Sequence, residues 1–133
     1  MWGIDKPTLR KAKNDATKTV AHCRSLDAAD EVKLKTLYET YDTKNGRIDA
    51  ADLAPLDGKK GIIKDQYSKT YGNDILSYIR RDLMKNVNRC PMCSILPPTD
   101  LDHFWNQSNY GQLAVCRLNL VPACGVCNKK NTD

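Results

Sequence analysis

Four of the six cysteines stand as two Cys-x-x-Cys pairs, Cys90/Cys93 and Cys124/Cys127, with thirty residues between them. A two-residue gap lets both sulfurs of a pair reach one tetrahedral ion, so the doubled motif predicts a single four-thiolate zinc site. Redox chemistry is the alternative, but one redox pair would not explain two copies. Cys23 and Cys116 are left over and read as small buried hydrophobes. Inside the bracket lie Asp102 and His103, and Asn128 directly follows the last cysteine. Asp102 and Asn128 offer hard oxygens, a pair that suits Mg²⁺ or Mn²⁺, ions that keep several waters and take few protein ligands. His103 is a base that is neutral near pH 7 and can take a proton from water. One divalent ion and one base are the minimum for hydrolysing a phosphodiester.

The elements that must position these groups are short. After the Pro97-Pro98 turn, residues 101–104 read as a strand and residues 117–122 as a second, ended by Pro122, which cannot donate to a ladder. A helix is expected to open near Cys124. With under three turns before Asp133 it is expected to be incomplete, since so short a helix is marginal without packing. Neighbouring strand residues point to opposite faces, so Asp102 and His103 can share a site only if the strand ends or bulges there.

This segment resembles the HNH endonucleases whose ββα-metal core is braced by a four-cysteine zinc. The matching pieces are Cys90-Pro-Met-Cys93, Leu101-Asp102-His103-Phe104, Asn119-Leu-Val-Pro-Ala-Cys124 and Cys127-Asn128, covering about a third of the chain. The third signature position is Asn128 rather than His, an HNN variant. The resemblance implies His103 as general base, Asp102 and Asn128 as ligands of the catalytic metal, and Asn119 as the catalytic-site residue that ties the loop orienting His103. The region before the first knuckle, Tyr78-Ile-Arg-Arg-Asp-Leu83, also resembles bacterial HNH proteins associated with ATPases in phage defence. That implies a protein partner, an ATPase; a cytoplasmic setting is expected because nothing in the sequence signals export.

The first half reads helical. Pro7 precedes good helix formers over 8–22, whose apolar face is thin (Leu9, Ala12, Ala16, Val20) and suits a docked partner or an internal core, the partner being the expectation. Asp27 caps a helix over 28–41. A short third helix starts near Asp49 and ends near Pro55, and Gly58 to Gly61 reads as a turn. The clearest helix is expected over 73–87, with Ile75, Ile79 and Leu83 at i, i+4 and i+8. Arg80, Arg81 and Lys85 lie off that stripe, as either a solvated face or a phosphate-contacting one. Residues 42–52 resemble a calcium loop, but no register puts Gly46 sixth and keeps oxygen ligands at the first, third and fifth positions. His22 reads as a surface or core histidine, and Trp105 and Tyr110 as packing residues.

The 133 residues suffice for one domain, or for a small domain with an appended arm. With 41% hydrophobic residues and one Phe, the core must be modest. Charge falls in blocks: net +4 over 1–24, −4 over 25–58, +4 over 59–86 and +1 over 87–133. The basic blocks can attract phosphate without reading bases, which makes DNA the expected partner and RNA the second. No run approaches the roughly 18 apolar residues of a membrane span, and the polar start lacks a signal-peptide core. The expected fold is α+β: a helical N-terminal region over 1–86, then a zinc-braced ββα-metal module over 87–133. The expected activity is metal-dependent endonuclease hydrolysis. The rival reading is a zinc-stabilised nucleic-acid-binding or adaptor module without catalysis, which would need the cysteines but not Asp102, His103 and Asn128 together.

Overall fold

The computed structural model describes residues 7–130. The first six residues of the basic block at 1–24 and the last three of the 87–133 segment lie outside the described residues. Helix α1, Leu9–Ala21, starts at Thr8, whose hydroxyl accepts from the Lys11 N–H. Helix α2, Ala28–Thr43, starts at a capping box in which the Asp27 and Asp30 carboxylates each take the other's backbone N–H. The two helices pack together. The face expected to wait for a partner is already used: Ala12 and Ala16 are fully buried and Val20 nearly so. A row of alanines is thin because it lets two helix backbones approach closely, with Leu34, Leu37 and Tyr38 of α2 supplying the bulk of the core.

A second capping box, Asp49 with Asp52, opens α3, Ala50–Leu53. The chain then stays helical without a break. A 3-10 segment spans Ala54–Lys59, α4 spans Lys60–Asp65, and another 3-10 segment spans Gln66–Thr70. The turn expected at Gly58–Gly61 is therefore absent. Pro55 sits in the first turn of the 3-10 segment, where no intrahelical N–H is needed, and buried Leu56 and Ile63 hold the glycine-containing stretch against the core. Helix α5, Ser77–Met84, is shorter than the expected 73–87. No side chain caps its start, and at its far end Lys85 turns extended and Asn86 follows at a left-handed φ of 63°. Of its expected stripe Ile79 and Leu83 are buried and Ile75 is half-buried, with Leu76 buried beside them.

Strands β1, Asp100–His103, and β2, Leu120–Ala123, form a two-stranded antiparallel sheet with Asp100 opposite Ala123 and His103 opposite Leu120. Two corrections follow. Residues 117–119 form a 3-10 turn instead of strand, and Pro122 lies inside β2, opposite Leu101. Because the Phe104 N–H bonds to the Asn119 carbonyl at 2.9 Å, hydrogen-bonded pairs alternate from there, and Pro122 falls at a position whose N–H would point away from β1. Helix α6, Gly125–Lys130, lies against β1 and completes a strand–loop–strand–helix order. The architecture is thus α+β. One hydrophobic core runs from Ala12 in α1 to Leu120 in β2, so the boundary expected at 86/87 lies within the span of shared packing.

The clearest link across that span is ionic. Arg117 Nε and Nη2 donate to the Asp15 carboxylate at 2.5 and 2.9 Å, Nη1 donates to Asp82 at 3.2 Å, and Tyr78 Oη donates to Asp15 at 2.7 Å. Asp15 and Arg117 are both about 98% or more buried, so this fork–fork pair fixes α1 to the turn that leads into β2. Burial pushes the Asp15 carboxyl up, and the guanidinium pulls it back.

Candidate active site and cysteine cluster

The four paired cysteines converge. Their sulfurs all lie within 4.8 Å of one another, and Cys93 and Cys124 are 3.7 Å apart. A tetrahedron of thiolates with ~2.3 Å metal bonds has edges of about 3.8 Å, so the cluster has the dimensions of a zinc site. Two independent redox pairs would not require all four sulfurs at one point. Burial works against the Cys90 thiolate, but the amide N–H groups of Cys124, Cys93 and Met92 outweigh it and bring the thiol down to about 6. The Cys93 thiol is lowered chiefly by the N–H groups of Leu96 and Ile95. Cys127 is pushed up to about 12, chiefly by its neighbour Cys124. Four crowded sulfurs cannot all ionise unless a cation joins them. Cys116 is fully buried and Cys23 partly so, and neither joins the cluster.

Beside this cluster a cleft of about 210 Å³ brings Asp102, His103 and Asn128 together. The opposed-face problem is solved by an ending, since β1 stops at His103 and the cleft wraps its terminus. His103 Nε2 lies 2.9 Å from the carbonyl of Ala114. A carbonyl only accepts, so neutral His103 carries its proton on Nε2 and keeps its lone pair on Nδ1. Burial moves the imidazole below its ordinary 6.5, so it is neutral near pH 7. Asp102 is 6% exposed, its carboxylate makes no hydrogen bond or ion pair among the described residues, and burial alone lifts it to about 6. A buried carboxylate lacking a partner fits a divalent cation. Asn128, half-buried on α6, adds an amide oxygen to the same cleft.

Asn119 is fully buried and reaches the loop between the strands at several points. Its Oδ1 accepts from the Trp105 N–H and the Tyr41 hydroxyl, and its Nδ2 donates to the carbonyls of Trp105 and Leu113. Leu113 precedes Ala114, whose carbonyl holds His103. Asn119 therefore shapes the loop from both ends, and it does not line the cleft. Trp105 is a packing residue: its Nε1 donates to the Gly46 carbonyl at 2.8 Å, and its ring meets Tyr110 edge-on at 4.8 Å.

The basic residues of α5 divide. Arg80 is half-buried and donates to Thr70 Oγ1 and to the Oη of Tyr67, which lines the cleft. Arg81 is exposed and bonds Ser77, and Lys85 is exposed at the helix end. Sequence reasoning missed Tyr67, whose ring meets His103 at 4.6 Å, and Tyr71 beside it. Their four-residue spacing was a usable signal. The Ala114 carbonyl gave none, because a backbone acceptor leaves no residue type to read. His22 is on the surface, its Nδ1 3.0 Å from the Lys18 carbonyl. Within the calcium-like stretch the carboxylates of Asp49 and Asp52 are engaged in capping, and Asp52 also pairs with Lys44 at 2.7 Å. Among the described residues, no helix is long and apolar enough to cross a membrane.

No family model and no solved structure matches the chain. A curated relative, Protein ea31 of Escherichia phage lambda, is 32% identical over 66 residues, which is 49% of this chain. The chain spans a fifth of that protein's length.

Proposed function

We propose that the protein is a metal-dependent endonuclease of HNH type that hydrolyses phosphodiester bonds, with DNA as substrate. The observation that carries this reading is His103, held through Nε2 by the Ala114 carbonyl, in one cleft with Asn128 and the unpartnered carboxylate of Asp102. In this reading Nδ1 of His103 takes the proton from the attacking water. Asp102 and Asn128 would hold Mg²⁺ or Mn²⁺, which supplies charge neutralisation at the phosphate and leaving oxygen. Tyr67 keeps the imidazole face covered, and Asn119 keeps the loop in register. Cys90, Cys93, Cys124 and Cys127 would hold a structural Zn²⁺ that joins the start of the segment to the β2–α6 junction. The net charge of +5 favours an anionic substrate. The resemblance drawn from the sequence adds a protein partner, an ATPase, in a cytoplasmic bacterial defence complex. With the apolar face of α1 occupied, such a partner would dock elsewhere.

The test is nicking of supercoiled plasmid with added Mg²⁺ or Mn²⁺, by wild type and His103→Ala. Cleavage that needs both the ion and His103 supports the reading. Zinc-loaded, folded protein that binds DNA without cutting it, with either ion, would replace it with the non-catalytic zinc module.

A further inference from the structure

The cleft has an aromatic wall that the hydrolytic chemistry does not use. Tyr67 is buried beneath His103, whereas Tyr71 is 50% exposed. The two rings meet edge to face at 5.7 Å. The guanidinium of Arg80 lies 4.0 Å from the centre of the Tyr71 ring. It is fixed there by its bonds to Tyr67 Oη at 3.1 Å and Thr70 Oγ1 at 3.3 Å. An exposed tyrosine ordinarily loses side-chain freedom when it docks a ligand. This one is held in advance by a cation that is itself held, and its exposure leaves ring surface free.

The surroundings suit a nucleotide. Tyr67, Tyr71, Gln107 and Ser108 line the cleft and also a shallow groove that continues to Lys64, Asp65 and Ser68. A ring surface, an amide and a hydroxyl therefore lie between the Asp102–His103 end and a lysine. A base can stack on the ring and bond the amide and hydroxyl through its edges, while a phosphate one step along meets the ammonium. In a duplex the base faces are already stacked on each other, so only a base out of the stack can use Tyr71.

We infer that Tyr71, backed by Arg80, is a stacking platform for an unpaired base next to the phosphate at Asp102, so that the site takes single-stranded DNA in preference to duplex. The inference rests on the nuclease reading for the position of that phosphate. Its test does not depend on cleavage.

Binding is measured by fluorescence anisotropy with a labelled oligothymidylate of about a dozen nucleotides, within the usual reach of single-strand sites. A hairpin duplex of similar charge serves as the comparison, and no divalent ion is added beyond the zinc the protein carries. The full chain is compared with Tyr71→Ala and Tyr71→Phe, their folding checked by circular dichroism. Wild type should favour the single strand. Tyr71→Ala should weaken that affinity roughly 5- to 100-fold, the usual range for losing one base–aromatic stack. It should leave the hairpin affinity unchanged, and Tyr71→Phe should keep wild-type binding. Equal single-strand affinity of wild type and Tyr71→Ala overturns the inference, and so does a preference for the hairpin. If the plasmid is cut but Tyr71→Ala binds normally, the platform falls and the nuclease stands. If binding depends on Tyr71 but no substrate is cut with Mg²⁺ or Mn²⁺, the nuclease reading falls instead.

Discussion

Asn119 bonds both backbone polar groups of Trp105, accepting from its N–H at 2.9 Å and donating to its carbonyl at 3.1 Å. The same amide reaches the Leu113 carbonyl, so the two ends of the loop over 105–113 are held by one buried side chain. His103 receives its orientation from the residue just past that loop. Asn119→Ala should therefore cost about 2–4 kcal/mol in urea unfolding, since buried partners are left unpaired. In cleavage it should lower kcat, because the loop leads into the Ala114 carbonyl that holds His103. An Asn119→Ala enzyme with wild-type kcat would show that the loop keeps its shape without the amide.

His103→Ala should reduce cleavage by about 10²–10⁴-fold, the usual contribution of a general base. The base works in its neutral form, so activity is lost as pH falls through its pKa. Burial lowers that pKa from 6.5, so the acidic limb should lie below pH 6.5. A pH–rate profile of wild type should show the limb there, and His103→Ala should lack it. A wild-type limb well above 6.5 would assign the limb to another group.

Zinc and stability should be lost together. Purified protein should carry one Zn²⁺ per chain by elemental analysis, and Cys90→Ser or Cys124→Ser should lower both zinc content and melting temperature. Chelation should melt the knuckles and leave the Leu34–Tyr38 core, which makes no contact with the cysteine cluster, as the last part to unfold. A zinc-free Cys90→Ser chain as stable as wild type would remove the metal from the account of this fold.

Breaking the buried Asp15–Arg117 pair from one side should cost about 3–5 kcal/mol, because the remaining charge is stranded. Arg117→Met and Asp15→Leu should each be severe in chemical denaturation. The double variant should recover much of the loss, giving a large coupling term in the cycle. Deleting α1 should unfold the chain. Independent, additive losses would mean that the two residues are not paired in solution.

Gly111→Ala should be costly despite its small size. A methyl there would meet the Lys60 carbonyl at 2.7 Å and the Lys64 side chain at 3.2 Å. The turn that presents Ala114 must then move away from α4. Loss of stability by about 1–3 kcal/mol, as for overpacking, should come with a lowered kcat. Unchanged kcat would mean that the strain is absorbed by α4.

What the sequence made legible was whatever acts locally. Asp27 and Asp49 announce helix starts because a carboxylate meets an N–H three residues on, and the doubled Cys-x-x-Cys announces four sulfurs gathered at one point. Asp102, His103 and Asn128 were legible as candidates for one cleft, and so was the need for the strand to end or bulge between the first two; only which of these it does was hidden. Asp15 and Arg117 were illegible, because a charge reads as solvated until its partner 102 residues away is known. Arg80 was misjudged for the same reason, since its partners Tyr67 and Thr70 lie on the preceding segment. Gly58 and Gly61 read as a turn from propensity alone, and tertiary packing of Leu56 and Ile63 overrode it.

The bonds from Tyr41 to Asn119 and from Trp105 to Gly46 carry one more consequence. The loop beside His103 is cast against a turn some sixty residues upstream, where Gly46 at φ 82° sits so close to the Tyr41 ring that a methyl would touch it at 3.3 Å. The cysteine-bracketed segment is therefore not a portable cassette. A chimera that carries its four cysteines, Asp102 and His103 onto another scaffold brings the side chains without the mould, and a minimal version has to include the 41–46 turn.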